Sequence, residues 1–191
     1  MHNLLTNTDQ ASPLLTLNVT PFNPYISLAM SAFKIQKATI DDVRSVGHLF
    51  NQYRQFYEQR DDLATATAFI QARIEHNESV ILYARALTGE PIGFCQLYPT
   101  FCSVVVARIY ALYDLFVLPE FRKAGIGRAL MLAAHDEARA NGVARMDLTT
   151  AKNNRKAQAL YESLGWKRDE IFFSYNWETK LTEEKAGPQR D

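Results

Sequence analysis

The sequence predicts a single α/β domain, a central sheet of about six strands flanked by about four helices. Three observations predict it. The chain has 191 residues, 47% of them apolar and 22% charged, the profile of one ordinary globular domain with a sizeable core. Apolar runs of strand length alternate with segments whose apolar residues recur at helical spacing. Near the middle, a strand-like run, a short basic loop and a glycine-opened helix follow one another directly.

Residues 1–29 are rich in Asn, Thr, Pro and Ser, carry one charged side chain, Asp9, and read as a leader outside the domain. Domain-like sequence starts after Met30, which makes Met30 a candidate start of translation; native peptides from before it would exclude that. The domain is expected over 30–180, with a frayed polar tail over 181–191.

Phe33 and Ile35 alternate with Lys34 and Gln36, a short strand. Thr39, with Asp42 three residues on, opens a helix whose apolar face is Val43, Val46, Phe50, Tyr53 and Tyr57. A second helix is expected from about Leu63 to His76. Val80 to Leu87 and Ile92 to Leu97 form a hairpin around Thr88-Gly89-Glu90-Pro91. Tyr110 to Val117 is a strand closed by Pro119, because proline cannot donate to a ladder. Ile126, Ala129, Leu130, Ala133 and Ala134 repeat at helical spacing, and Asn141-Gly142 ends that helix. Arg145 to Thr150 is a strand, Ala157 to Leu164 a fourth helix closed by Gly165, and Ile171 to Trp177 completes the sheet.

Charge and composition exclude several roles. Lys plus Arg and Asp plus Glu number 21 each, so no net field draws the chain to nucleic acid or an anionic membrane. The two cysteines, Cys95 and Cys102, read as reduced core thiols. The histidines lack zinc spacing, so no metal is expected. No apolar run is long enough to cross a bilayer, and no basic side chain among Lys and Arg precedes Lys34 as a secretory signal requires. The expected location is the cytoplasm.

The chemistry sits in Leu115 to Leu130. A helix N-terminus offers unpaired N–H groups and partial positive charge, a phosphate site. Gly125 and Gly127 admit a ligand close to the backbone, or ease a tight turn, while Arg122, Lys123 and Arg128 add charge. A P-loop is absent, and Leu130 stands where a dinucleotide fingerprint needs its third glycine.

Arg122-Lys123-Ala124-Gly125-Ile126-Gly127 resembles the acetyl-CoA loop of the GNAT superfamily. Asn154 to Trp166 is similar to a second motif of the same family, with its Asn, Ala157, the Leu160-Tyr161 pair and the Gly165-Trp166 ending. The resemblance covers about Phe33 to Trp177. Tyr53-Arg54-Gln55-Phe56-Tyr57 and the strand around Asp114 are similar to a branch labelled histone-like or small-amine acetyltransferases.

The resemblance implies a mixed central sheet of about six or seven strands, with splayed parallel strands holding acetyl-CoA. It implies an N-acetyltransferase that passes the acetyl group directly to a small-molecule or peptide amine, with a non-catalytic acyl-CoA-binding module as the alternative. Backbone groups of Phe116 and Val117 would hold the pantetheine arm, and Lys123, Ala124, Gly125, Ile126, Gly127 and Arg128 the diphosphate. Tyr161 matches the family's acid, or is a core tyrosine. Asp114, a carboxylate in an apolar run, is the base, the anchor of the substrate ammonium, or a structural hydrogen-bond acceptor. Asn154 contacts the cofactor arm or caps its helix; Tyr53 and Tyr57 edge the acceptor cleft or pack in the core. A homodimer built through the C-terminal strands is a further expectation of the family.

Overall fold

The computed structural model describes residues 33–179, so the leader over 1–29, the Met30 boundary and the tail over 181–191 lie outside the described residues. Nine regular elements follow in the order β1 (Phe33–Lys37), α1 (Val43–Phe56), α2 (Leu63–Glu75), β2 (Val80–Ala86), β3 (Pro91–Cys102), β4 (Ala107–Val117), α3 (Ile126–Ala140), β5 (Arg145–Leu148) and α4 (Arg155–Ser163), with short 3-10 turns before α1 and after β4. They form one five-stranded mixed sheet in the order β1-β2-β3-β4-β5, antiparallel except for the last pair.

The sheet separates two cores. On one face α3 buries Ile126, Leu130, Met131 and Ala134 against Leu82, Cys95, Leu97 and Leu112. On the other, α1 and α2 bury Val46, Leu49, Phe50, Ala66 and Ile70 against Ile81, Tyr83, Phe94 and Phe116. Local signals set the helix ends: the Thr39 N–H donates to the Asp42 carboxylate at 3.0 Å, and Asp62 caps α2 by accepting from Thr65 N–H at 2.9 Å.

The strand pairing positions the site. β4 runs parallel to β5 only from Ile109↔Arg145 to Leu112↔Leu148, and from Asp114 to Val117 it has β3 alone. The two parallel strands therefore part at Leu112. There Gln96 pairs with Asp114 and Leu97 with Leu112, which leaves Tyr113 as one extra residue in β4. Such a bulge moves every later side chain to the opposite face. Before it, Tyr110 and Leu112 join the α3 core; after it, Phe116 and Leu118 join the α1/α2 core, with Leu115 and Val117 turned toward α3.

Several expectations are corrected. β3 continues past Leu97 to Cys102; beyond Leu97 it is paired with β4 alone, and an edge position tolerates Pro99. Cys95 is a buried thiol as expected, whereas Cys102 is only half-buried at the far end of β3. Ile171 to Trp177 is not a strand: the sheet has five strands among the described residues, and Ile171, Phe172, Phe173, Tyr175 and Trp177 are exposed. Asp169 accepts from the N–H groups of Ile171 and Phe172 at 2.8 and 3.0 Å, diverting those amides into a turn.

Candidate active site

The opening between β4 and β5 is lined at its mouth by the loop into α3. Arg122 donates from Nε to the Val117 carbonyl at 3.0 Å, and its guanidinium lies 5.5 Å from the Phe56 ring centre and 5.9 Å from that of Phe116. This buttresses the end of β4. Lys123 and Gly125 both adopt left-handed backbone, with φ of 66° and 81°. The turn is tight because only glycine takes that conformation freely, and Gly125 is the N-cap of α3.

The Ala129 N–H donates to the Gly125 carbonyl at 3.0 Å, so the amides of Ile126, Gly127 and Arg128 precede the first i→i−4 bond of α3. A Cβ added at Gly125 would project into open space, at the mouth of this row of amides. A diphosphate fits there: amide donors, the positive helix end and exposed Lys123 converge. Ala124 and Ile126 pack on the sheet and hold the loop down, while Arg128 donates to Ser163 Oγ at 3.0 Å and ties the start of α3 to α4. Phe116 is buried in the α1/α2 core, and Gly93 opposite lies so close that a Cβ there would stand 2.8 Å from the Phe116 carbonyl oxygen. Only a residue without a side chain lets β3 support β4 at this point.

Asn154 caps α4, its side chain accepting from Ala157 N–H at 3.2 Å. Tyr161 stands two helical turns along, half-buried against the α3 core and 6.2 Å from the Trp166 ring. Burial raises its pKa above that of an ordinary phenol, the nearby Tyr57 adds to the rise, and a hydrogen bond with Thr150 works the other way. The phenol thus stays protonated throughout the neutral range.

On the α1/α2 side of β4 lies a cavity of about 410 Å³ whose walls include the rings of Phe50, Tyr53, Tyr57, Phe69, Tyr98 and Tyr113. Its charged lining residues are Asp114 and Arg54. The bulge at Tyr113 is what turns Asp114, only 5% exposed, into this space. Burial lifts its carboxyl to about 6, well above the usual carboxylate range, with a hydrogen bond from Tyr53 opposing the rise. Burial and the Asp114 charge in turn push the Tyr53 phenol upward. Across the strand pair, Gln96 is fully buried; its Nε2 donates to Ser79 Oγ at 2.7 Å, and its Oε1 has no hydrogen-bond partner among the described residues.

The structure therefore brings together Asp114, Tyr53 and Tyr57 on one side of β4 and groups Tyr161 with the β4–α3 loop around the strand opening. Tyr57 lies near enough to Tyr161 to add to the rise of that phenol's pKa. Tyr53 is half-buried and Tyr57 is 52% exposed, so neither is simply a core ring. Sequence reasoning missed Phe69, Tyr98, Tyr113 and Gln96, which come from elements far apart in the chain. Among the described residues no group of three or more His, Cys, Asp or Glu side chains is arranged to hold a metal ion, and no helix is long and apolar enough to cross a membrane.

Comparison with known proteins agrees with this geometry. The acetyltransferase (GNAT) family model matches residues 44–166. An uncharacterized N-acetyltransferase of Bacillus subtilis (strain 168), YhfO, is 50% identical over 141 residues, covering 74% of this chain and 94% of that protein. A crystal structure of a probable acetyltransferase superposes with a TM-score of 0.73 at 33% identity, over 78% of this chain and 99% of the other. The fold is also that of the aminoglycoside N-acetyltransferase AAC(6')-Iy in complex with CoA, with a TM-score of 0.64 at 21% identity, 78% of this chain and 97% of that one. With its loop, its parted strands and these relatives in agreement, the chain belongs to the GNAT family of acetyltransferases, which take acetyl-CoA as co-substrate.

Proposed function

We propose that the chain moves the acetyl group of acetyl-CoA directly onto an amine held in the aromatic cavity. The observation that carries this reading is the placement of Asp114 and Tyr161 on either side of one strand end, a carboxylate poised near neutrality and a phenol kept protonated. The amides at the start of α3 hold the diphosphate, and the β4 backbone at Phe116 and Val117 holds the arm. A backbone N–H in this position stabilises the oxyanion that forms as the carbonyl is attacked, a contribution of roughly 3 kcal/mol for one preset donor.

The incoming amine arrives as an ammonium. Asp114 takes one of its protons and passes it to solvent, the nitrogen lone pair forms the C–N bond, Asp114 takes the second proton that the nitrogen must lose, and the C–S bond breaks. Tyr161 gives its proton to the departing sulfur, whose thiol pKa near 8.5 makes it an acceptable partner for a phenol. The proton on Asp114 then returns to solvent, and that on Tyr161 is replaced from it.

The acceptor site faces one side of β4, and the other end of the sheet offers a place for a second copy of the chain. β5 is an edge strand whose outer side has no ladder partner among the described residues, and beside it lies a hollow of about 470 Å³ with Met146, Leu164 and Trp166 in its walls. Ile171, Phe173, Tyr175 and Trp177 alternate with Ser174 and Asn176 and are each more than 80% exposed. This strand-patterned run fits the β5 edge of a partner, giving a homodimer.

Three outcomes test these readings. Tyr161→Phe should lower kcat ten-fold or more while leaving acetyl-CoA affinity near its starting value, measured by single-turnover kinetics and calorimetry; an unchanged chemical step would remove Tyr161 from the mechanism. Asp114→Asn should lower kcat/KM by about 100-fold or more, the scale of general-base catalysis. It should also stabilise the fold at neutral pH. The folded carboxyl titrates near 6 against 3.8 when unfolded, so the native state binds the extra proton and stability falls as pH rises between these values. Removing the carboxylate should give about 2–3 kcal/mol above pH 6 and nothing near pH 3; denaturant melts with no pH-dependent difference would contradict the burial of its charge. Finally, Phe173→Asp with Trp177→Asp should convert a dimer into a monomer in analytical ultracentrifugation. A wild-type monomer would rule out the second copy.

A further inference from the structure

The cavity holds two charged side chains of opposite sign, and this sets the chemistry of what can fill it. Asp114 lies at the β4 end, beside Tyr53 and opposite Gln96. Arg54 lies at the end formed by the α1–α2 connection, with Gln59 and Thr65 also in the lining there. That connection is held in place by buried Asn51, whose Nδ2 donates to Asp61 Oδ1 at 2.7 Å and whose Oδ1 accepts from Asp62 N–H at 3.1 Å. The Arg54 Nη1 reaches the Asp62 carbonyl at 3.5 Å, the long limit of a hydrogen bond, so most of its five N–H donors are not committed to that contact. Between the two ends the walls are aromatic.

From this juxtaposition we infer that the acceptor is a zwitterion, an amine that also carries a carboxylate on an apolar frame. Its ammonium lies at Asp114 within the aromatic walls, its frame between the rings, and its carboxylate on the Arg54 guanidinium. This rests on the acetyl-transfer reading for the fate of the ammonium, and deepens it. A polycation such as a polyamine or aminoglycoside finds one carboxylate in the lining and meets Arg54 with its second charge. A plain alkylamine satisfies Asp114 and makes no use of Arg54. The planar guanidinium suits a carboxylate, which it binds through two parallel N–H bonds, and aromatic faces attract an ammonium. Two kinds of amino acid share this chemistry: an α-amino acid with an apolar side chain, and an ω-amino acid whose charges stand at opposite ends.

The test uses the full chain loaded with CoA and reads binding by calorimetry, with four probes: phenylalanine, 6-aminohexanoate, pentylamine and spermidine. At least one zwitterion should bind ten-fold or more tightly than both pentylamine and spermidine, and whichever zwitterion does so identifies the α or the ω source. In Arg54→Gln the preference for that zwitterion over pentylamine should fall about ten-fold, the scale of a lost charge-assisted hydrogen bond. Arg54→Lys should restore part of it. Equal or tighter binding of pentylamine or spermidine, or a preference that survives Arg54→Gln, would overturn the inference. Release of free CoA thiol from acetyl-CoA is read separately with the same probes. A zwitterion bound tightly without release would contradict acetyl transfer and leave the ligand class standing; release with spermidine and no zwitterion preference would do the reverse.

Discussion

One extra residue in β4 governs the geometry of this protein. Because Tyr113 has no partner on β3, the strand changes face between Leu112 and Asp114, and it is at the same residue that β4 parts from β5. Had the register run on without the slip, Asp114 would share the face of Leu112 and point at α3, a carboxylate in a dry aliphatic core. Instead it meets Tyr53 and the aromatic cavity. Beyond it the last residues of β4 have no parallel neighbour, since the ladder with β5 ends at Leu112↔Leu148. The proposed acceptor and cofactor sites thus meet at one segment of β4, a strand rather than a loop.

Burial then tunes two side chains in chemically opposite directions of use. Desolvation penalises the charged form of both Asp114 and Tyr161. For the carboxyl this brings titration up to about 6, close to working pH, where a base both accepts and releases a proton readily. For the phenol it secures the protonated form, the form the proposed transfer to sulfur uses. The cost falls on the fold, since an ionised Asp114 in a largely apolar cavity opposes folding at neutral pH. Packing on both sides of the sheet offsets that cost.

Much of this was legible in the sequence. The spacing of Ile126, Leu130 and Ala134 predicted α3, and Gly125 marked its start, because helix periodicity and glycine placement are local properties. Asp114 was visible as a charge in an apolar run, but the face it takes depends on a bulge, which is decided by pairing with β3. The aromatic cavity was not readable, since Phe69, Tyr98 and Tyr113 come from three elements that only the folded sheet brings together. Ile171 to Trp177 failed as a strand for a related reason: alternation belongs to the segment, whereas a ladder belongs to its neighbours, and Asp169 claims two of its first amides.

Cofactor binding in the cleft at the parted end of β4 and β5 is the central proposal for this protein. Hydrogen exchange of backbone amides, followed with and without CoA, tests this most directly. Protection gained over residues 123–128, together with the end of β4 at Phe116 and Val117, is the predicted result. Protection confined to the hollow beside β5, or absent from the start of α3 while CoA is bound, would contradict it.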